Sequence, residues 1–326
     1  MTRAFLLSIF DKKFIYHIIM SQEKKNVALN SVIAAGFITS FKLVVGLLTG
    51  SLGILSEALH SALDMVAAVI TFFSVKVSDK PADREHNYGH GKVENLSALI
   101  ETLLLLVTCI WIIYEATHRI ISGKGLELNT IQTVFSFIVV ITSIAVDAWR
   151  SKKLYAVAKK HNSQALEADA LHFSTDIWSS AVVLLGLVCV KIYEWTQWPV
   201  FFYADSVAAL VVAVIVLFVS YQLGRRAIDV LLDKSPQNTT QIVRDTLKEF
   251  PEVIKYHSLK ARTAGADTFI KFNVHFDPEL SLREVHNVCD KIESNIRQLV
   301  PRSEVYIHPE PEDACHLENE VDDLLM

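Results

Sequence analysis

Long apolar runs separated by short charged segments dominate the first two thirds of the chain. Six runs contain few ionic residues, and in the first of them Lys42 is the only one. A helix needs about 20 apolar residues to cross the hydrocarbon core of a bilayer, and each run reaches that length. The pattern therefore favours a polytopic α-helical membrane protein with six transmembrane helices over the buried core helices of a large soluble protein. The six runs are 26–48, 53–77, 96–121, 130–149, 171–190 and 203–221.

Basic residues concentrate in alternate connections between these runs. Lys and Arg are frequent before the first run, after the second and after the fourth, whereas the other connections contain few of them. Because cytoplasmic loops carry the excess of Lys and Arg, both chain termini are expected in the cytoplasm. The segment 1–25 is then a cytoplasmic or surface-lying N-terminal extension, and 26–233 is the six-helix transmembrane domain.

The last third of the chain has a different pattern. Hydropathy falls after Tyr221, and the segment around Pro236 is typical of a helix end followed by a linker. Periodicity then predicts a helix, two strands, an amphipathic helix and a short strand, at 241–250, 254–262, 268–276, 282–299 and 304–308. This αββαβ domain, 237–311, has a small core that a second copy of the chain would help to stabilise. The acidic tail, 312–326, lacks periodicity and is expected to be disordered.

Composition narrows the choice of partners. The formal net charge is −5 with neutral histidines, which argues against nucleic acid and is compatible with a protein that handles cations. The four cysteines are scattered, without the paired spacing of a disulfide framework or a zinc knuckle. We expect them to be reduced and incidental.

Two His-x-x-x-Asp pairs lie inside apolar runs. His60 and Asp64 share one face of the second predicted span, and His172 and Asp176 share one face of the fifth. Ionisable residues are costly within a membrane and usually face a partner or an aqueous cavity. Two imidazoles and two carboxylates complete the tetrahedral shell that zinc prefers, and cobalt or cadmium accept the same donors. Hydrogen bonds between helices are the purely structural alternative.

Three classes of protein could use these pairs. A membrane hydrolase would need an open position on the metal and a nearby base, which a four-ligand set does not leave. A channel would need a continuous polar lining, whereas the fifth and sixth spans are apolar beyond the motif. The sequence therefore favours a carrier of divalent metal ions, and not an enzyme.

Further candidate ligands lie outside the apolar runs. Asp83, His86 and His90 follow the second span at spacings that could surround one ion, although a solvated polar loop is equally compatible with them. Separate surface side chains are the simpler interpretation of the candidates in the C-terminal domain, because they fall on different predicted elements. These are His257, His275, His286, His308 and Glu310.

Taken together, these motifs resemble the cation diffusion facilitators, a family of bacterial metal exporters. The resemblance covers about 26–311, and rests on the doubled His-x-x-x-Asp pairs, the segment 81–94, His286 and the stretch 307–311. It implies six membrane helices, a metallochaperone-like cytoplasmic domain and a homodimer in the bacterial inner membrane. It also implies export of Zn²⁺ against protons by alternating access, with Cd²⁺, Co²⁺ or Fe²⁺ as other possible ions.

The resemblance also implies roles for particular residues. The paired motifs become the transport site, and Asp83, His86 and His90 become a second metal site. Lys92 and Asp233 match a charge pair near the dimer contact. The C-terminal site departs from the family pattern, because Asn273 replaces a strand histidine and Glu310 replaces an aspartate. On that basis His257, His286 and His308 are the preferred ligands there, ahead of His275 and Glu310.

Overall fold

The computed structural model describes residues 2–49, 52–122, 130–196 and 204–313. It divides into two compact units, Met1–Ile228 and Asp229–Met326. Long helices build the first unit, and a small mixed sheet with two helices builds the second. The helices that follow one another from the N-terminus are α1 (Thr2–Thr49), α2 (Leu52–Ser78), α3 (Lys92–Ser122), α4 (Thr130–His161), α5 (Gln164–Thr196) and α6 (Ala204–Leu231).

These helices include the predicted apolar runs and extend beyond several of them. Helix α1 begins at Thr2, so the predicted N-terminal extension is helical and continuous with the first run. Within the described residues, three stretches are long and apolar enough to cross a membrane: Gln22–Leu48, Ala58–Ser78 and Lys92–Ser122. The other three predicted crossings stay a prediction.

Small side chains allow close packing of the helices that carry the paired motifs. Helix α1 packs along α2, α4 packs along α5, and α2 also contacts α5. One buried cluster joins α1, α2, α4 and α5, and five of its nine buried members are alanines that surround Phe173 and two leucines. Because small residues let helix backbones approach each other, this packing brings the motif on α2 next to the motif on α5.

A buried ion cluster connects the middle of α1 with the end of α2 and the start of α3. The Nζ atom of Lys24 on α1 lies 2.6 Å from Oδ1 of Asp79, which follows α2, and 2.9 Å from Oε1 of Glu94 on α3. The three side chains are only 2–4% exposed. Ser163, which precedes α5, donates a hydrogen bond of 2.5 Å to the second oxygen of Glu94. The cluster thus holds one cation between two carboxylates away from solvent.

The second unit has the predicted order of elements. It consists of α7 (Gln237–Lys248), β1 (Lys255–Ala264), β2 (Asp267–Phe276), α8 (Leu282–Leu299) and β3 (Ser303–Pro311). Strand β2 is central, antiparallel to β1 and parallel to β3. Helix α7 starts four residues earlier than predicted, directly after Pro236, which needs no hydrogen-bonded N–H at that position. Strand β3 is longer than predicted because its pairing with β2 continues to Pro311.

One face of the sheet carries the core of this unit. Phe272 and Val274 of β2 are fully buried against α7 and α8, together with Ile292 and Ile296. Side chains alternate between the two faces of a strand, so Asn273 and His275 lie on the opposite face. Helix α8 begins with a capping box, in which Ser281 and Glu284 each accept a backbone N–H.

Two sequence predictions fall partly outside the described residues. Cys109, Cys189 and Cys289 are free thiols, as their scattered spacing indicates, whereas Cys315 lies outside the described range. Most of the acidic tail, 314–326, lies outside it as well.

Candidate metal sites

The paired motifs of α2 and α5 converge in the first unit. The Nε2 atom of His172 lies 3.1 Å from Oδ1 of Asp64 and 3.6 Å from Oδ2 of Asp176. One ligand atom from each of these three residues lies within 4.8 Å of the other two, close enough to hold one metal ion. His60 lies at the edge, with Nε2 3.9 Å from Asp64 and 4.0 Å from Asp176. Asp64, His172 and Asp176 therefore form one candidate metal group, and His60 lies beside its two aspartates.

Burial differs among the four side chains. The side chain of His172 is 4% exposed and those of Asp64 and Asp176 are 13% exposed, whereas that of His60 is 39% exposed. The other ring nitrogen of His172, Nδ1, is buried without a hydrogen-bond partner among the described residues. His60 is thus the ligand nearest to solvent, and His172 is the most enclosed one.

A small polar cavity of about 40 Å³ adjoins His60, Asp64 and Asp176, large enough for an ion or a few water molecules. Charged side chains from two other helices line it: Lys42 of α1, and Asp147 and Arg150 of α4. Lys42 donates a hydrogen bond of 2.8 Å to Oγ of Ser61, and Arg150 lies 3.3 Å from Oδ1 of Asp147. The cavity therefore contains fixed cations and anions besides the predicted ligands.

Arg150, in the lining of this cavity, contacts residues of several helices. Its guanidinium lies over the ring of Phe173, 3.4 Å from the ring centre, and donates hydrogen bonds to Oγ of Ser31 at 3.1 and 3.3 Å. Ser31 in turn donates to Asp169, which is fully buried. Arg150 therefore connects α1, α4 and α5 around the site.

Sequence reasoning missed several buried acids in this region. Asp147, Asp169 and Glu101 lie within helices and are 0–8% exposed, and Glu101 accepts hydrogen bonds from Thr71 and Ser97. Their signal in the sequence was an ionisable residue within or beside an apolar run, which often marks a functional interior. The sequence pattern places Arg150 only in the basic connection after the fourth run.

The loop between α2 and α3 brings its three candidate ligands together. Oδ1 of Asp83 lies 3.3 Å from Nδ1 of His86, and Oδ2 lies 3.3 Å from Nε2 of His90. The backbone N–H of His86 donates to Asp83, and this hydrogen bond lowers the pKa of the carboxyl below its usual range. Gly89 has a φ of 75°, a left-handed conformation that suits glycine. The loop can thus present one carboxylate and two imidazoles to one ion.

In the second unit, strand register assembles three candidates on the sheet face opposite the core. Nε2 of His257 and Nε2 of His275 lie 3.1 and 3.4 Å from Oε2 of Glu310. His275 is paired with Glu310 in the parallel register, and an irregularity in β1 follows His257. Nε2 of His275 is buried without a hydrogen-bond partner among the described residues, which fits a metal ligand. Asn273 donates to the other oxygen of Glu310 at 2.7 Å.

The two remaining candidates are more peripheral. Nε2 of His308 lies 3.5 Å from Oε1 of Glu310, and its side chain is 54% exposed. His286 is 70% exposed and faces Asp290 of its own helix at 3.6 Å. The geometry thus gives a different order from the resemblance, with His275 and Glu310 at the centre, while a role for His286 stays a prediction.

The predicted pair of Lys92 and Asp233 also stays a prediction, because the two residues belong to different units. Within the second unit, Asp233 lies 3.3 Å from Nη1 of Arg262.

Comparison with known proteins gives matches along most of the chain. The family model of the cation efflux transmembrane domain matches residues 28–232, and that of the cation efflux protein cytoplasmic domain matches 235–312. The cation-efflux pump FieF of Shewanella oneidensis is 31% identical over 282 residues, which cover 86% of this chain and 92% of that protein. The uncharacterized transporter sll1263 of Synechocystis is 32% identical over 288 residues, 87% and 89% of the two chains.

Solved structures are also similar to a part of this chain, and one of them is given as an example. It is the metal-bound C-terminal domain of the CzcD transporter from Thermotoga maritima, with 25% identity and a TM-score of 0.24, covering 24% of this chain and 94% of that one.

The matches establish the class of protein. The chain is a membrane transporter for cation efflux, and not an enzyme. Within that class, the chain belongs to the cation diffusion facilitator family, as its motifs indicated.

Proposed function

We propose that this chain exports Zn²⁺ in exchange for protons, through a site formed by His60, Asp64, His172 and Asp176. The observation that carries the proposal is the convergence of the two motifs, with Asp64, His172 and Asp176 within 4.8 Å of one another. Ligand atoms this close together can coordinate a dehydrated ion directly. Two carboxylates offset the charge of the dication, and two imidazoles supply the nitrogen donors that zinc accepts.

Proton coupling follows from the chemistry of the same ligands. An imidazole must be neutral to bind a metal ion, so protons and metal compete for His60 and His172. Release of the ion on the far side of the membrane would then let protons occupy the site for the return step. Alternating access supplies the movement, in which helices rock about a fixed binding site.

The proposed arrangement in the membrane extends beyond the three apolar stretches. We place α1 to α6 across the bacterial inner membrane with both termini in the cytoplasm, which the distribution of basic residues supports. A homodimer is proposed as well. The match of residues 235–312 to the cytoplasmic domain of cation efflux proteins and the small core of the second unit support it.

The test is metal uptake by inside-out proteoliposomes with an acidic lumen. Zn²⁺, Cd²⁺, Co²⁺ and Fe²⁺ are compared for the native chain, Asp64→Ala and Asp176→Ala. Glu167→Gln is the matched control, because Glu167 also lies on α5 but forms a partly exposed ion pair with Arg226 at 3.0 Å. We expect Zn²⁺ uptake that stops in both site variants and continues in the control.

Each part of the proposal has its own contrary result. Uptake that survives both aspartate substitutions would refute the site. Uptake that is the same with and without the acidic lumen would refute proton coupling. Faster uptake of Co²⁺ or Fe²⁺ than of Zn²⁺ would refute the choice of metal.

We also propose that the second unit binds Zn²⁺ as a sensor of metal load. The donor set of His257, His275 and Glu310 supports this, because a buried Nε2 of His275 and a carboxylate face one space. When bound, the metal would link three strands and favour one transport state.

The test of the sensor compares His275→Gln with His286→Gln in the full-length protein. We expect His275→Gln to lose one bound Zn²⁺ per chain and to need more metal for half-maximal transport, while maximal transport is unchanged. The exposed His286 is expected to matter less. Unchanged Zn²⁺ stoichiometry in His275→Gln would refute the proposed sensor. The proposal for the transport site would be unaffected by that result.

A further inference from the structure

A second cavity lies between α1 and α4, apart from the predicted metal ligands. Its volume is about 250 Å³, several times that of the cavity beside the transport site. Arg150 is a wall of both cavities. The polar side chains that line the larger cavity are Glu23, Asn26, Asn30, Ser31, Trp149, Arg150 and Lys153, and the apolar ones are Val27, Leu154 and Val157.

Cationic side chains outweigh the single carboxylate in the lining of this cavity. Its one carboxylate, Glu23, is already engaged by Lys160 at 2.6 Å and by Nε2 of His161 at 3.0 Å. The two cations of its lining differ in accessibility, since Arg150 is buried and Lys153 is exposed. The cavity therefore offers an anion the accessible ammonium of Lys153, whereas the buried guanidinium of Arg150 already pairs with Asp147 at 3.3 Å.

The position of the cavity relates it to the membrane surface. Asn26 and Asn30 lie on the stretch Gln22–Leu48, which is apolar enough to cross a membrane, and both are exposed. Asn30 lies about two helical turns inside that stretch, with Leu29 and Ile33 exposed beside it at 42% and 62%. An amide exposed at that depth is costly unless it finds a hydrogen-bond partner.

Helix α4 supplies the other half of an interfacial site. Trp149 ends the fourth predicted crossing and is 49% exposed, and Lys153 follows one turn later. Tryptophan and lysine in this order are typical of the boundary between hydrocarbon and headgroups. Polar donors, a cation and flanking apolar side chains thus lie at the same depth, near the surface of the membrane.

We propose that the cavity between α1 and α4 binds the phosphate of an anionic phospholipid. Lys153 pairs with the phosphate, the amides of Asn26 and Asn30 donate to its ester and phosphoryl oxygens, and the acyl chains lie along Leu29 and Ile33. The guanidinium of Arg150 keeps its ion pair with Asp147 and its hydrogen bonds to Ser31. None of the four proposed transport ligands lines this cavity.

The experiment is native mass spectrometry of the full-length protein in detergent, titrated with phosphatidylglycerol or phosphatidylcholine. We expect one phosphatidylglycerol per chain to bind more tightly than the zwitterionic lipid. Lys153→Gln should weaken phosphatidylglycerol binding about fivefold, since one basic residue near anionic lipid contributes about 1 kcal/mol. Lys152→Gln is the matched control, because the neighbouring lysine does not line the cavity, and it should leave this step unchanged.

A second variant and a competitor complete the test. Asn30→Leu removes an amide donor without changing charge and should also weaken phosphatidylglycerol binding. Equal affinities for the native chain, Lys153→Gln and Asn30→Leu would overturn the proposal. Displacement of the lipid by millimolar inorganic phosphate would assign the cavity to a free anion and overturn the lipid assignment.

Discussion

Replacement of Lys24 by alanine tests the buried ion cluster of the first unit. Lys24 is the cation between Asp79 and Glu94, whose side chains are 4% and 2% exposed. In Lys24→Ala the two carboxylates remain in this buried position without the ammonium. Removal of one partner from a buried ion pair costs about 3–5 kcal/mol, because an uncompensated charge stays buried.

The structure favours the lower end of that range. Glu94 keeps hydrogen bonds from Ser78 at 2.8 Å and from Ser163 at 2.5 Å after the ammonium is removed. A loss of about 3 kcal/mol corresponds to a melting temperature lower by roughly 6–12 °C for a unit of this size. We expect a shift of that size in the thermal unfolding of the full-length protein in detergent.

Two further variants separate the ion cluster from general effects of losing a lysine. Lys76→Ala removes an exposed lysine of α2 and should shift the melting temperature by no more than about 2 °C. In Lys24→Met combined with Asp79→Asn and Glu94→Gln, no charge is left in the cluster, and most of the lost stability should return. A Lys24→Ala shift no larger than that of Lys76→Ala would refute the reasoning.

Two other predictions concern the second unit, with hydrogen exchange of the full-length protein as the measurement. Phe272→Ala should destabilise this unit by about 3–5 kcal/mol, because the ring is fully buried. Tyr306→Ala changes a position that is 62% exposed and should lower the stability of the unit far less. Similar losses of stability in the two variants would contradict the assignment of the core. Hydrogen bonds from Ser281 lower the pKa of Glu284 below its ordinary value of 4.5. The ionised Glu284 therefore stabilises α8 above pH 4.5, and this stabilisation is lost as the pH falls further. Glu284→Gln should make the protection of α8 amides from exchange less sensitive to acid. An unchanged acid response would count against the capping box.

The sequence predicts which side chains converge at the proposed transport site better than it predicts what surrounds them. The spacing of four residues puts His60 and Asp64 on one helix face, and it does the same for His172 and Asp176. Contact between α2 and α5 is then enough to bring the two pairs together. The position of Arg150 could not be predicted in this way. Its contacts depend on how α4 is rotated against α1 and α5, which the spacing within α4 does not determine.

The second unit illustrates the same limit. Side chains two residues apart on a strand share a face, and Asn273 and His275 do so in β2. The meeting of His275 with Glu310 depends on the parallel register of β2 and β3, which are separated by α8 in the chain. Long-range register is set by the packing of the whole core, so the central position of Glu310 was not visible in the sequence.

The division of the small sheet into two faces has a consequence for how the proposed sensor would exchange metal. The apolar side chains that hold the domain together lie on one face, whereas His257, His275 and Glu310 lie on the other. A zinc finger unfolds when its ion leaves because the ion replaces a core. Here the core is complete without the ion, so we expect the apo domain to stay folded. Loading and unloading can then follow the free metal concentration at the pace of ligand exchange, without the slower steps of unfolding and refolding.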